Sequence, residues 1–173
     1  MTARVSLQNM QNVTDPQTTF DWALWLPSIP GGAFSTRDFT FRAQTTSFPG
    51  VGSEEFKIEA HGLSFQYPGR RVWEMTLEVT IFETRDAIGR RLIEQWIDFQ
   101  RDVKTNSGNL SSAYAVEAQL SLYDAPGKIT QTLALERFFP LKLNSPSLDN
   151  SSAALQYSVT FSYDRSRSLV VEE

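Results

Sequence analysis

The sequence predicts a mainly β fold, an antiparallel sandwich or barrel-like domain flanked by one amphipathic α-helix at about residues 86–105. Three observations predict it. Apolar and polar residues alternate with a period of two through most of the chain, the pattern of strands that bury one face. Between Asp86 and Val103 the period lengthens to about 3.6, the spacing of an amphipathic helix. Breaks rich in Pro and Gly separate the alternating runs, where the chain must turn.

The first nineteen residues are polar, carry Pro16 and show little periodicity, so they read as an N-terminal arm. Phe20, Trp22, Leu24 and Leu26 then fall on one side of a first strand, which Pro27, Pro30, Gly31 and Gly32 end. Phe39, Phe41 and Ala43 alternate with Thr40, Arg42 and Gln44, which predicts a second strand over Asp38–Gln44. Ser47 to Gly52 is turn-rich; Phe56, Ile58 and Ala60 next oppose Glu55, Lys57 and Glu59, and Pro68-Gly69 reads as another turn. The cleanest strand sets Trp73, Met75, Leu77, Val79 and Ile81 against Glu74, Thr76, Glu78 and Thr80.

The helical stripe is Ile88, Leu92, Trp96, Phe99 and Val103. Thr84 or Asp86 is expected to cap its start, and Asn106 and Gly108 to stop it. Tyr114 to Leu122 and Ile129 to Leu135 alternate on either side of Asp124–Gly127, a hairpin over 113–137. After a Ser/Asn/Asp-rich loop near 144–152, Leu155, Tyr157, Val159 and Phe161 mark the last strand, and 165–173 reads as a C-terminal tail.

A chain of 173 residues fits one domain, residues 1–173, and can bury a core without help. It has no cysteine, which removes disulfides, thiolate metal sites and cysteine nucleophiles together. Sixteen basic and twenty acidic side chains give a net charge of −4, with no basic run to mark a nucleic-acid surface. No stretch approaches the roughly 20 apolar residues of a membrane helix, so no membrane insertion is expected.

Catalysis, metal and cofactor are all expected to be absent. His61 is the only histidine and has no general-base context. Gly50-Val51-Gly52 precedes a strand rather than a helix, so it cannot aim helix N–H groups at a phosphate. Glu54 and Glu55, and Glu74, Glu78, Glu83 and Asp86, read as solvated charge rather than paired catalytic acids. The aromatics say more. Trp25 lies on the opposite face from Trp22, Phe48 sits at a turn and Phe82 is out of phase with Ile81, which hints at surface covered by another subunit.

An ordered set of segments then becomes informative. It comprises F-x-x-x-L at 20–24, F-x-F-R-A-Q-T-T-S-F-P at 39–49, and R-R-x-W-E-M-T-L-E-V-T-I-F-E-T-R-D-A at 70–87. The last runs into a helix bearing I-E-Q-W-I-D-F-Q at 93–100; Phe139-Pro140-Leu141, Ser147-Leu148-Asp149 and S-V-T-F-S-Y-D at 158–164 follow. Together they resemble the tail tube proteins of contractile-tailed bacteriophages and of phage-like injection systems, over roughly Phe20 to Arg165.

The resemblance implies a virion structural protein, made in the host cytoplasm, that forms hexameric rings stacked into a hollow tube. Four strands per subunit would line the lumen, and DNA would pass without specific binding. Sheath and baseplate proteins would be its partners. The excursion Thr45–Tyr67 would be an extended hairpin or loop reaching the next ring, with Phe48, Pro49, Gly50, Val51 and Gly52 near its turn as inter-ring contacts. Glu55, Glu59, Glu117 and Gln119 are expected to face the lumen, and Trp96 and Phe99 to approach a neighbouring subunit. Six copies at −4 each give −24 per ring, a charge that does not hold DNA. A baseplate tube-initiator or the tube of a DNA-free injection device fits the same residues. A monomeric β-sandwich binding module and a carboxylate hydrolase are the readings from other classes.

Overall fold

The computed structural model describes residues 21–31, 35–124, 127–146 and 154–169. It is mainly β and antiparallel, sandwich-like with a flanking helix, as the alternation predicts. The strands are β1 (Trp22–Trp25), β2 (Ala43–Thr46), β3 (Val51–Ala60), β4 (Leu63–Trp73), β5 (Thr76–Phe82), β6 (Val116–Tyr123), β7 (Ile129–Leu143), β8 (Gln156–Ser162) and β9 (Arg165–Leu169). The helices are α1 (Thr36–Arg42), α2 (Ile88–Gln100) and the single turn α3 (Ser111–Tyr114).

Two layers share one long strand. The first half of β7 pairs with β6 and β9, and β1 extends that layer beyond β6. The second half of β7 pairs with β8, and β5 and β2 continue outward from it. β8 and β9 also run as partners of β7 on either side of the same corner. Their register is unbroken, from Glu136 opposite Arg165 to Phe139 opposite Ser162. The corner is made by Arg137, which takes a left-handed φ of 54° and shifts the β6–β7 register. β3 and β4 form a separate two-stranded ribbon.

Alternation places the core. Leu77, Val79 and Ile81 of β5 stand opposite Phe161, Val159 and Tyr157 of β8, and all six are buried. Phe161 is the hub: Phe138 stacks on it at 4.5 Å, Phe39 meets it edge-on at 5.8 Å and Trp96 tilts against it at 6.1 Å. α2 contributes Leu92, Ile93 and Trp96, and the Trp96 indole N–H donates to the Tyr114 carbonyl at 2.8 Å.

The start of α2 shows why one sequence segment passes directly from strand to helix. Ala87 precedes the helix at φ 51° and offers no side-chain cap. Glu83, at the end of β5, supplies it instead. Its Oε1 accepts the Thr84 and Gly89 N–H groups at 3.0 Å each, and its Oε2 accepts the Arg90 N–H at 2.7 Å. A carboxylate there satisfies the free donors and faces the positive end of the helix dipole. Arg42 completes the site, 3.6 Å from Glu83 and donating to Thr84 Oγ1 at 2.8 Å.

Several expectations are corrected. Asp38–Gln44 is not a strand; its first part belongs to α1, capped by Ser35, whose side chain accepts the Arg37 N–H. Only Phe39 of that helix is buried, while Phe41 is 65% exposed. Neither Thr84 nor Asp86 caps α2, which ends at Gln100 rather than 105; Asn106, at φ 55°, shapes the loop that follows. Pro68-Gly69 lies within β4, not at a turn: Pro68 pairs with Glu55, and Gly69 and Arg70 form a bulge opposite Glu54 alone. Residues 165–169, taken as tail, form β9 because they continue the β8 register along β7. The N-terminal arm, Ser147–Asp149 and 170–173 lie outside the described residues.

Candidate assembly surfaces

The β3–β4 hairpin stands clear of the core. It reverses at His61 and Gly62, with φ of 53° and 76°, the two left-handed residues a tight hairpin turn needs. Every described side chain from Val51 to Val72 is exposed. Pairing of Phe56 with Tyr67 and Ile58 with Phe65 puts these four on one face, and the Phe56 and Tyr67 rings stack at 5.5 Å. Lys57 opposite Gln66 and Glu59 opposite Ser64 make the other face polar. At the bulge Gly69 passes so close to β3 that a Cβ there would sit 3.1 Å from the Glu54 carbonyl oxygen.

The layer β2–β5–β8–β7 has two open margins among the described residues. β2 has β5 as its one neighbour, and Phe139–Leu143 of β7 has β8. The outer face of this layer is polar. One row runs Thr45–Thr80–Ser158 across β2, β5 and β8, and the next runs Glu78–Thr160–Lys142 across β5, β8 and β7. Ser158 Oγ donates to Glu78.

At the hairpin root the Glu74 carboxylate accepts the Gly50 N–H at 3.4 Å. Nearby, the buried Tyr163 hydroxyl has no hydrogen-bond partner among the described residues. Burial first, and the Glu74 charge second, push its ionisation upward. An open cleft of about 320 Å³ between α2 and residues 141–146 is lined by Arg90, Glu94, Ile97 and Lys142, and Arg90 Nε already donates to Glu94 at 2.6 Å. No group of three or more metal-ligating side chains occurs among the described residues.

No protein-family model and no curated protein sequence matches the chain. Solved structures do. The chain is similar to the tube-terminating cap of the anti-feeding prophage, at TM-score 0.65 and 18% identity, covering 92% of this chain and 94% of that one. It is similar to a chain of the PVC extracellular contractile injection system's sheath–tube complex, at TM-score 0.64 and 16% identity over 97% and 100%. A chain of the anti-feeding prophage baseplate, reconstructed with six-fold symmetry, gives TM-score 0.64 at 14% identity over 91% and 97%.

The fold is that of contractile-system tube proteins.

Within that tube fold the expected contact residues separate. Val51 and Gly52 open β3 and Phe48, Pro49 and Gly50 precede it, so all five sit at the hairpin root; its turn is His61-Gly62. Pro49 is buried and Phe48 is partly exposed. Glu55 and Glu59 lie on the hairpin, whereas Glu117 and Gln119 lie on β6, so the four do not form one surface. Trp96 is fully buried in its own core and offers nothing to a neighbour. Phe99 is half-buried and packs on Gly31, where a Cβ would meet its ring carbon at 2.8 Å. The residues missed from sequence are Leu63, Phe65 and Tyr67; their alternation with Ser64 and Gln66 was the available signal, hidden by the turn assigned to Pro68-Gly69.

Proposed function

We propose that this chain is a structural subunit of the tail tube of a contractile-tailed phage. It closes into six-membered rings, the rings stack, and DNA passes through the hollow tube into the host. Sheath and baseplate proteins are its partners in the virion tail. The observation that carries this reading is the projecting hairpin with an apolar face. A two-stranded ribbon is marginally stable alone in water, and this one exposes Phe56, Ile58, Leu63, Phe65 and Tyr67. A second subunit that covers it, in the next ring, resolves both problems. Phe48 to Gly52 then lie where the hairpin leaves its own ring.

The open margins support the ring. β2, β5, β8 and β7 alternate in direction, so β2 of one copy placed beside the second half of β7 in the next continues the antiparallel order. Such a head-to-tail contact repeats until rotation closes it, and closure removes the strand edges.

Negative-stain microscopy and sedimentation over rising protein concentration test the proposal. Rings or tubes are expected; a monomer that persists even when seeded with preformed tube ends sinks it. A copy number of many tens per particle, counted by mass spectrometry, separates a tube subunit from a baseplate initiator. DNA in the particle separates a phage from a DNA-free device.

A further inference from the structure

Phe41 is the most exposed aromatic side chain among the described residues, at 65%. Two residues apart on a helix points it away from Phe39, which enters the core, and the Arg37 guanidinium lies over its ring at 5.2 Å. α1 runs without a break into β2, the margin strand of the β2–β5–β8–β7 layer. The contact of Phe39 with Phe161 fixes α1 on the core side of that layer. At the other margin, the open cleft of about 320 Å³ between α2 and residues 141–146 lies on the same side: Ile97 and Leu143 line it and pack against the edge of the core. Leu141, in its wall, is 51% exposed.

Antiparallel order fixes which end of one margin meets which end of the other. β2 of one copy, laid beside the second half of β7 in the next, runs from Ala43 at the Leu143 end to Thr46 at the Phe139 end. α1 precedes Ala43, so it arrives beside residues 143–146, on the core side, where the cleft opens.

We infer that Phe41 is a key between ring neighbours, its ring entering the cleft of the next copy between Ile97 of α2 and Leu141 of β7. This rests on the ring reading above and names the side-chain contact that strand pairing lacks. β2 is four residues long, and so short a backbone ladder specifies its register weakly, although a slip of one residue turns every side chain to the other face. An aromatic knob seated in a cleft sets that register. Glu94, at the rim and paired with Arg90, gives Arg37 a carboxylate once Phe41 has left its side. Key and cleft lie at opposite margins, so a copy that fills its neighbour's cleft keeps its own open for the next, which is a head-to-tail contact.

The chain has no cysteine, so introduced pairs report this contact alone. Phe41→Cys and Leu141→Cys are placed in one chain, assembled at high concentration and treated with a short bis-maleimide. A ladder of linked copies that ends at the closed ring is expected on a denaturing gel. A product that stops at the dimer shows a reciprocal pair. A Leu141→Cys site as reactive in tubes as in the monomer shows an unfilled cleft, and protection without linkage gives the cleft to another segment. Any of these three overturns the inference while tubes remain. Phe41→Ala is expected to leave the thermal melt of the monomer unchanged and to raise the concentration needed for assembly at least tenfold, with Phe41→Leu restoring part of the loss. Equal thresholds for Phe41→Ala and the parent chain overturn the key. If the parent chain forms no ring or tube under any condition, the tube reading itself has failed and the inference falls with it.

Discussion

Arg137 and Asp164 stand opposite each other at the corner where β7 passes from one layer to the other and β8 gives way to β9, their side chains 2.6 Å apart. The corner rests on backbone more than on charge. The pair is about half exposed, so its contribution is at most about 1 kcal/mol, whereas Arg137 holds a left-handed φ of 54° that any L-residue resists. Arg137→Gly is therefore expected to be close to neutral, and Arg137→Val to destabilise the monomer by about 1–3 kcal/mol. Urea denaturation checks it, and equal losses for both variants would show that the ion pair governs.

Glu83 joins three elements through one carboxylate. Glu83→Ala leaves the Thr84, Gly89 and Arg90 N–H groups without their acceptor and the Arg42 guanidinium without its counter-charge, in a site where the Glu83 side chain is 4% exposed. A loss of about 3–5 kcal/mol is expected, with Glu83→Gln losing less because one oxygen remains. Gly89→Ala is also expected to destabilise: its Cβ would lie 3.2 Å from one oxygen of a carboxylate that three N–H bonds hold in place. Thermal melts of the three variants give the order.

Hairpin and core substitutions should separate folding from assembly. Phe65→Asp, on the exposed apolar face, is expected to change monomer stability by less than about 0.5 kcal/mol and to abolish tubes. Trp96→Ala should cost about 3–5 kcal/mol in the monomer itself. Sedimentation together with circular dichroism distinguishes them; tubes formed normally by the Phe65 variant would remove the hairpin from the contact.

The loop after α2 should loosen in acid. The Lys104 and Thr105 N–H groups donate to Asp102 Oδ1 at 2.7 and 2.9 Å, and the Thr105 and Lys104 bonds hold its carboxyl below its ordinary ionisation range. A depressed folded-state value means the stabilisation is present above the unfolded-state value and fades as pH falls through the folded one. Amide exchange should therefore show Lys104 and Thr105 losing protection at the acid end of that window. Asp102→Asn should remove the pH dependence, and a protection profile flat with pH in the parent chain would contradict it.

The strand alternation was legible wherever one face is buried: β5, β6 and β8 bury a continuous apolar row at Leu77, Val79, Ile81, Ala118, Leu120, Val159 and Phe161. α1 was not legible because seven residues with one buried side chain, Phe39, give no helical stripe, while Phe39, Phe41 and Ala43 mimic a strand. Its surviving signals were Ser35 as cap, Asp38 in the first turn and Arg42 in the last. The Glu83 cap was hidden because it reaches back from a strand outside the helix. The proposed assembly surface was half legible. Its aromatics announced themselves, but Pro68-Gly69 looks the same in a turn and in a bulge, and that ambiguity cost the second strand of the hairpin.

That bulge also bears on the life of a subunit before it finds its partners. A long, flat, aromatic ribbon with unpaired margins is a template for fibres, since identical copies could zip edge to edge without limit. The bulge at Gly69 and Arg70, next to Pro68, bends and twists this one partway along, and the Glu54–Arg70 pair spans it. On the proposed reading, a newly made chain keeps that apolar face uncovered in a crowded pool, because the kink makes edge-to-edge pairing geometrically awkward.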